Sequence, residues 1–388
     1  MADPAAIYDR VKAVYGRVAK GVHPWATLPP LRVTFEVTYR CNLSCPFCFQ
    51  EHAREESGVF GKDSELRNDE ILDVVASLPP YTLVTFNGGE VFVRRDFPEL
   101  LRAVSRMGRR FNLVTNGTML TADQAQLLVD QTKALSVGVS IDGIGATHDA
   151  IRRLPGAFAR TVANLRGLAE YRQRQGRSLP AIDLKTVMTR ENLGQLKDIY
   201  LLAREIGADY TTYSCLRTSE LLFALPCRAS MDDRAYLDAP ARLATHIPLD
   251  ELGAQLREIT ELARQGKPRL RFYPDYPEVP GILRYYADQE ELDDYELCRA
   301  PWTNIRIAPN GDVYPCLAYR MGNVRQGRLP HIWKGENMNR FRAALERELV
   351  PACLGCCFLN AKMGLTSALP VPAQAARVAQ AVGPRLGG

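Results

Sequence analysis

Six short apolar runs, each followed by an amphipathic segment, constrain the fold of this chain more than any other feature. In the first, Leu31, Val33, Phe35 and Val37 alternate with Arg32, Thr34, Glu36 and Thr38, the period of two expected of a strand with one buried face. Further predicted strands lie near 82–86, 111–115, 135–141, 182–188 and 210–214, and helical periodicity recurs between them near 68–77, 97–106, 122–131, 159–174 and 193–206. Strands that alternate with helices build a parallel sheet with right-handed crossovers. Six units rather than eight predict an α/β fold in the form of an open, partial (β/α)6 barrel.

The rest of the chain divides around this segment of 31–225. Residues 1–30 place Ile7, Val11, Val14, Tyr15 and Val18 at helical spacing before Pro24, Pro29 and Pro30, and read as a lead-in. Residues 226–297 read as a helical bridge with a helix over 252–264, closed by the acidic run Asp288–Glu296, which is expected to be a solvated surface. Residues 298–362 read as a small further unit. There Ile305, Ile307 and Val313 flank Asn310-Gly311, a hairpin signal because both turn positions favour positive φ, and a helix over 337–347 follows. Residues 363–388 have the Ala/Pro/Gly-rich composition of a disordered tail.

Lys and Arg number 49 against 44 Asp and Glu, a net charge of +5 spread along the chain, so nucleic acid is not an expected partner. No uncharged apolar run reaches the ~18 residues of a membrane span. The opening MADPAAIYDR is acidic and lacks the apolar core of an export signal, so a cytoplasmic protein without a membrane partner is expected. Thiols stay reduced there. Ten cysteines in such a chain point to metal or redox chemistry.

Cys41, Cys45 and Cys48 form C-x3-C-x2-C directly after the first strand. Three thiolates on one loop can hold three corners of a four-iron cluster and leave the fourth iron open. Zinc, with a water or a fourth protein ligand, is the alternative. Position favours the cluster, because α/β sheets bind ligands at the carboxyl ends of their strands.

The segment TYRCNLSCPFCF, then FNGGE at 86–90, then the β/α alternation to about residue 216 resemble the radical S-adenosylmethionine (radical SAM) enzymes. The resemblance implies a TIM-like partial barrel and a [4Fe–4S] cluster whose open iron is chelated by the amino and carboxylate groups of S-adenosylmethionine. One electron then cleaves the C5′–S bond, and the 5′-deoxyadenosyl radical abstracts hydrogen from a substrate. It also implies cofactor contacts at Phe47 in the cluster loop and at Gly88, Gly89 and Glu90, whose backbone and carboxylate would hold the ammonium end. Asn116, Ser140 and Asp142 close the third and fourth strands, where a ribose or carboxylate would lie. Arg152, in His148-Asp149-x-x-Arg152, would pair with the carboxylate of S-adenosylmethionine, or is an exposed arginine at a helix start. Asn-Gly and Asp-Gly at strand ends are also ordinary turn chemistry.

A second array consists of Cys298, Cys316, Cys353 and Cys356, with Gly311 between the first two, a spacing that resembles the SPASM and twitch extensions of the same family. Four thiolates suffice for one fully ligated auxiliary [4Fe–4S] cluster, or for zinc. Lys362 stands where a full SPASM pattern continues with cysteine, which favours the shorter, twitch-like form, and Cys357 beside Cys356 leaves open which of the two binds. Cys215, at the end of the sixth strand, is a candidate catalytic thiol facing the cavity, or a small buried hydrophobe. Cys227 has no assigned role. Lys185 is a candidate substrate contact, or a solvent-facing strand lysine.

The chain is thus expected to be an enzyme with a small-molecule or peptide substrate and an external electron donor such as flavodoxin or ferredoxin. About thirty residues precede Leu31, too few for the peptide-recognition domain that many peptide-modifying relatives carry, which tips the expectation towards a small polar or sugar-like metabolite. A peptide maturase is the alternative within the family. A non-catalytic iron–sulfur carrier or zinc-binding module is the alternative outside it, set against Gly88-Gly89-Glu90 beside a triplet that lacks a fourth ligand.

Overall fold

All six predicted strands form, as β1 (Arg32–Glu36), β2 (Leu83–Asn87), β3 (Phe111–Thr115), β4 (Ala134–Ser140), β5 (Ala181–Met188) and β6 (Tyr210–Cys215). They pair in chain order and all in parallel. The structure is a computed structural model. It describes residues 28–57, 61–216, 247–276, 278–316, 319–349, 353, 354, 356 and 358–362, with 11, 14–16, 18, 19 and 21 near the start. Cys227, Cys357 and the stretch 363–388 lie outside the described residues.

Two further parallel strands flank the six. β7 (Arg269–Tyr273) joins β6, and β8 (Asn304–Ile307) joins the far side of β1. From β8 the chain turns into β9 (Asp312–Tyr314) and β10 (Gly322–Asn323), both antiparallel additions. The sheet order is β10-β9-β8-β1-β2-β3-β4-β5-β6-β7. Among the described residues β7 and β8 do not pair, so the barrel is open, as the sequence predicted. Its parallel part nevertheless has eight strands rather than six.

Both additions have a physical reason for escaping the sequence reading. β7, RLRFY, lies in the stretch read as a helical bridge, and its charged Arg269 and Arg271 alternate with Leu270 and Phe272, leaving only two apolar residues to show a period. β8 was legible as one arm of the 304–314 hairpin, but its second partner, β1, lies some 270 residues earlier, beyond any local pattern. The hairpin therefore continues the barrel sheet.

The helices that cover the strands run over Asn68–Ala76, Phe97–Arg106, Ala122–Asp130, Ala157–Arg174 and Leu196–Ile206. The outward strand residues Val33, Phe35, Val84, Phe86, Phe111, Leu113, Val137, Ile182 and Leu184 are buried against them. Phe86 is central, with ring centroids 5.9 Å from Phe35, 5.7 Å from Phe97 and 5.6 Å from Phe111. A second apolar cluster lies under helices Leu249–Arg264 and Val279–Tyr286, around Tyr213, Leu252, Leu256, Ile282 and Tyr285. The opposite strand face carries Glu36, Asn87, Asn112, Ser140, Asp183, Lys185 and Arg271, so the concave wall is polar, unlike the branched apolar filling of a closed barrel. No helix among the described residues is long and apolar enough to cross a membrane.

The acidic run 288–296 is not uniformly solvated. The Glu290 carboxylate accepts hydrogen bonds from the hydroxyls of Tyr276 and Tyr295, themselves 2.6 Å apart. Burial pushes Glu290 up to about 7 despite both bonds. A carboxyl raised in the folded state stabilises it below its unfolded pKa and loses that contribution as pH rises through the folded value. Glu290→Gln is accordingly expected to stabilise the protein at pH 8, by up to about 3 kcal/mol, and to leave it unchanged near pH 4. Urea denaturation at the two pH values checks this.

Candidate functional site

The approach to the cysteine loop is pinned from both sides. Glu36, at the end of β1, accepts from the Tyr39 hydroxyl at 2.8 Å and from Arg306 Nη1 of β8 at 3.0 Å. Arg40 then forks onto Glu65 through Nε and Nη2, each at 2.9 Å, the bidentate geometry guanidinium favours. Within the loop, Cys48 N donates to Cys45 O at 3.1 Å and Leu43 N to Cys41 Sγ at 3.4 Å. Phe47 sits half-buried in the turn between Cys45 and Cys48.

The predicted residues gather around this loop. Asn116 Nδ2 lies 3.8 Å from Cys41 Sγ, and Arg152 Nη1 donates to Cys45 Sγ at 3.4 Å. Burial pushes the Cys41 thiol up to about 11, with the Glu90 charge and the two neighbouring cysteines adding to the rise, and it raises Cys48 too. Metal binding is what converts such thiols to thiolates. Among the described residues no three Cys, His, Asp or Glu side chains converge on a single ion. Three mutually acting soft thiols on one loop suit a cluster several ångströms across better than a zinc ion with ~2.3 Å bonds to sulfur.

Gly88 and Gly89 serve the chain before any ligand. A Cβ on Gly88, whose φ is +153°, would lie 2.4 Å from Thr38 O, and one on Gly89 would lie 2.4 Å from Arg40 O. Their bare backbone lets Gly89 N donate to Thr38 O at 2.8 Å and Glu90 N to Arg40 O at 2.9 Å, clamping the end of β2 onto the arm that leads into Cys41. The side chain of Glu90 is fully buried and accepts from Thr115 Oγ1 at 2.7 Å, Asn116 N at 2.7 Å and Phe92 N at 3.1 Å. Its hydrogen bonds are thus spent on joining β2 to β3 and to Phe92; burial pushes its carboxyl upward while those bonds pull it down, and it lies close enough to raise the Cys41 thiol. Gly89→Ala should cost roughly 1–3 kcal/mol of stability, because backbone cannot yield as a side chain does. It should also weaken S-adenosylmethionine binding; denaturant titration and equilibrium binding check the two effects.

Beyond β4, Asp142 and Arg152 form a buried ion pair. Asp142 Oδ1 accepts from Val187 N at 2.7 Å, its carbonyl accepts from Asn192 Nδ2 at 3.0 Å, and its N–H donates to His148 Nδ1 at 3.1 Å. Burial and the neighbouring Arg152 hold His148 down to about 3, so it is neutral and accepts. Arg152 is not an exposed arginine at a helix start: it is 8% exposed at the end of the short helix Ala146–Arg152, which the sequence did not announce, and it bridges Asp142 to Cys45. Ser140 ends β4 on the concave face opposite Lys185.

The four auxiliary thiols line the seam between the two apolar clusters: Cys298 and Cys353 border both, Cys316 the first and Cys356 the second. Cys356 N donates to Cys353 O at 3.0 Å, the same turn that joins Cys45 to Cys48. Lys362 donates to Asp293 O at 2.6 Å. Of the two readings of Cys215, the structure bears out the buried one: it shares its strand face with Tyr213, whose hydroxyl reaches Leu196 O, and packs 4% exposed in the second cluster with Met188 and Tyr286, so the catalytic candidate facing the cavity is corrected. Lys185 points into the barrel instead of to solvent, paired with Asp183 at 2.7 Å.

Sequence reasoning missed Asn42 and Thr118, which complete a polar chain: Asn116 Nδ2 donates to Asn42 Oδ1 and Asn42 Nδ2 to Thr118 Oγ1, each at 2.9 Å. Only the position of Asn42 inside C-x3-C hinted at it. Glu36–Arg306 was also missed, since nothing local joins residues so distant.

Comparison with known proteins agrees with this geometry. The family model described as the radical SAM superfamily matches residues 35–203, and an iron–sulfur cluster-binding domain model, SPASM, matches 298–357. The chain is 29% identical over 350 residues to the AdoMet-dependent heme synthase of Methanosarcina barkeri, covering 85% of this chain and 89% of that one. It is likewise 29% identical over 346 residues to the PqqA peptide cyclase of Xanthomonas campestris, covering 84% and 79%. Its fold resembles that of Streptococcus suis SuiB bound to its precursor peptide SuiA, with a TM-score of 0.60 at 15% identity over 87% of this chain and 72% of that one. With both models in place, the cofactors are S-adenosylmethionine, the [4Fe–4S] cluster that binds it, and an auxiliary cluster. The chain is an enzyme that carries a radical SAM superfamily domain over residues 35–203 and a SPASM-type domain over residues 298–357.

Proposed function

We propose that this enzyme is a maturase that modifies a ribosomally made peptide. The carrying observation is the PqqA peptide cyclase match, which covers 84% of this chain. Peptide substrates are better supported than the sugar-like metabolite suggested by the short segment before Leu31. Cys41, Cys45 and Cys48 would hold the cluster that binds S-adenosylmethionine, and Cys298, Cys316, Cys353 and Cys356 the auxiliary one. When bound, the first cluster supplies the electron that cleaves S-adenosylmethionine to a hydrogen-abstracting radical.

The protein's own residues position and shield. Arg152 places a cation at Cys45, Glu90 an anion near Cys41, and Asn116 a donor between them. The polar concave wall holds the substrate beneath them, and a flavodoxin or ferredoxin supplies electrons from outside. Anaerobic reconstitution with iron and sulfide should give about eight irons per chain, four for each cluster. Adding S-adenosylmethionine and dithionite should yield 5′-deoxyadenosine. Co-expression with short peptides encoded beside the gene should return a peptide altered in mass. Unaltered peptides, together with turnover of a small polar metabolite, would move the substrate to the other class.

A further inference from the structure

On the concave wall, one carboxylate serves two cations. Asp183 of β5 is 3% exposed, and its Oδ2 accepts from Lys185 Nζ at 2.7 Å and from Arg271 Nη2 of β7 at 2.9 Å, while Oδ1 accepts from Thr212 Oγ1 at 2.8 Å. The carboxylate carries three hydrogen bonds, and the two cations against one anion leave the group one surplus positive charge. Both cations remain open on one side, with 29% and 28% of their side chains exposed. The guanidinium carbon of Arg271 lies over the Tyr210 ring, 4.1 Å from its centroid. A guanidinium held over an aromatic ring with one edge open is preorganised for a planar anion.

The surrounding wall is shaped to hold this arrangement. Lys185 lies across β4 at Gly138, where a Cβ would sit 2.5 Å from Lys185 Cε, so the glycine leaves the lysine room to lie there. Lys185 is in register with Ser140 on one side and Thr212 on the other, and Thr212 with Arg271. Val187, the next inward residue of β5 and ~7 Å further along the strand, donates to Asp142, the partner of Arg152 at Cys45. The surplus charge therefore lies one layer of side chains beneath the cysteine loop.

We propose that Lys185 and Arg271 form a carboxylate-binding subsite that recognises an acidic group of the substrate and fixes it below the radical-generating site. This deepens the peptide-maturase reading and rests on its assignment of the concave wall to the substrate; there the group would be an Asp or Glu side chain. The surplus charge in a partly enclosed wall, where counter-charges act strongly, is offset when that anion binds.

The test uses the reconstituted enzyme saturated with S-adenosylmethionine and two small probes, glutarate and its uncharged analogue glutaramide. Glutarate should bind at least tenfold more tightly. Lys185→Gln and Arg271→Gln should each reduce that preference severalfold and the double variant should erase it, while the affinity for S-adenosylmethionine stays within twofold. Equal binding of the probes to wild type, or a preference that survives the double variant, overturns the proposal. A mixed octapeptide library with glutamate or glutamine at its centre gives the second arm. Retention of the glutamate peptides by wild type and not by the double variant supports a peptide acid as the ligand. A glutarate preference without retention of any peptide leaves the subsite standing and counts against the peptide reading alone.

Discussion

Cys45→Ala should abolish 5′-deoxyadenosine formation, by 10³-fold or more, and lower the iron content from about eight to about four per chain. Of the three thiols in the loop, Cys45 is the most enclosed, and it is the one Arg152 donates to. Without it the loop retains two sulfurs, too few to hold a cubane whose fourth corner is kept for S-adenosylmethionine. The matching control is Cys353→Ala, on the auxiliary array. It should also lose about four irons but keep reductive cleavage of S-adenosylmethionine, because its cluster is not the one that binds the cofactor. Iron analysis combined with nucleoside chromatography separates the two. A Cys45→Ala protein that keeps all its iron and makes the nucleoside would remove the assignment of the loop.

Arg152→Met should be the most damaging substitution of a residue that binds no metal, at roughly 3–5 kcal/mol of stability, the usual cost of leaving a buried charge without its partner. Asp142 would keep only the Val187 N–H at its carboxylate. Burial already pushes Asp142 upward and Arg152 pulls it down, so removing the arginine raises it further. The sign follows from linkage: the variant's deficit should be largest at pH 8 and narrow towards pH 5, as the carboxyl takes up a proton in the folded state. Arg152→Met combined with Asp142→Asn should recover much of the loss, a coupling that a double-mutant cycle in urea measures directly.

The barrel was legible because its strands bury one face: the alternation from Leu31 to Thr38 and the apolar runs that follow carry their own period. The cysteine loop and Gly88-Gly89-Glu90 were legible as motifs, though the work of the glycines was not. Their constraint is the backbone of Thr38 and Arg40, some fifty residues earlier, and spacing alone cannot show such an approach. β7 stayed hidden because Arg269 and Arg271 break its apolar signature, and that concave placement of Arg271 is what joins it to Asp183. Cys215 was left between two readings because a strand end offers two faces, and Tyr213, two residues earlier, decides between them through a contact with Leu196. In each case a partner remote in sequence settled what the local pattern left open.

The pairing of β1 with β8 sets an order of events during synthesis. β1 leaves the ribosome early, yet the strand that covers its free edge is encoded some 270 residues later. At translation speeds of ~5–20 residues per second, that edge and the nascent cysteine loop beyond it wait on the order of tens of seconds for their neighbour. During this interval Arg306 has not yet reached Glu36, so the loop stands without its rear brace and the unpaired edge invites association with other chains. Delivery of iron and sulfide therefore belongs after chain completion, and chaperone capacity during translation should govern how much enzyme a cell can accumulate.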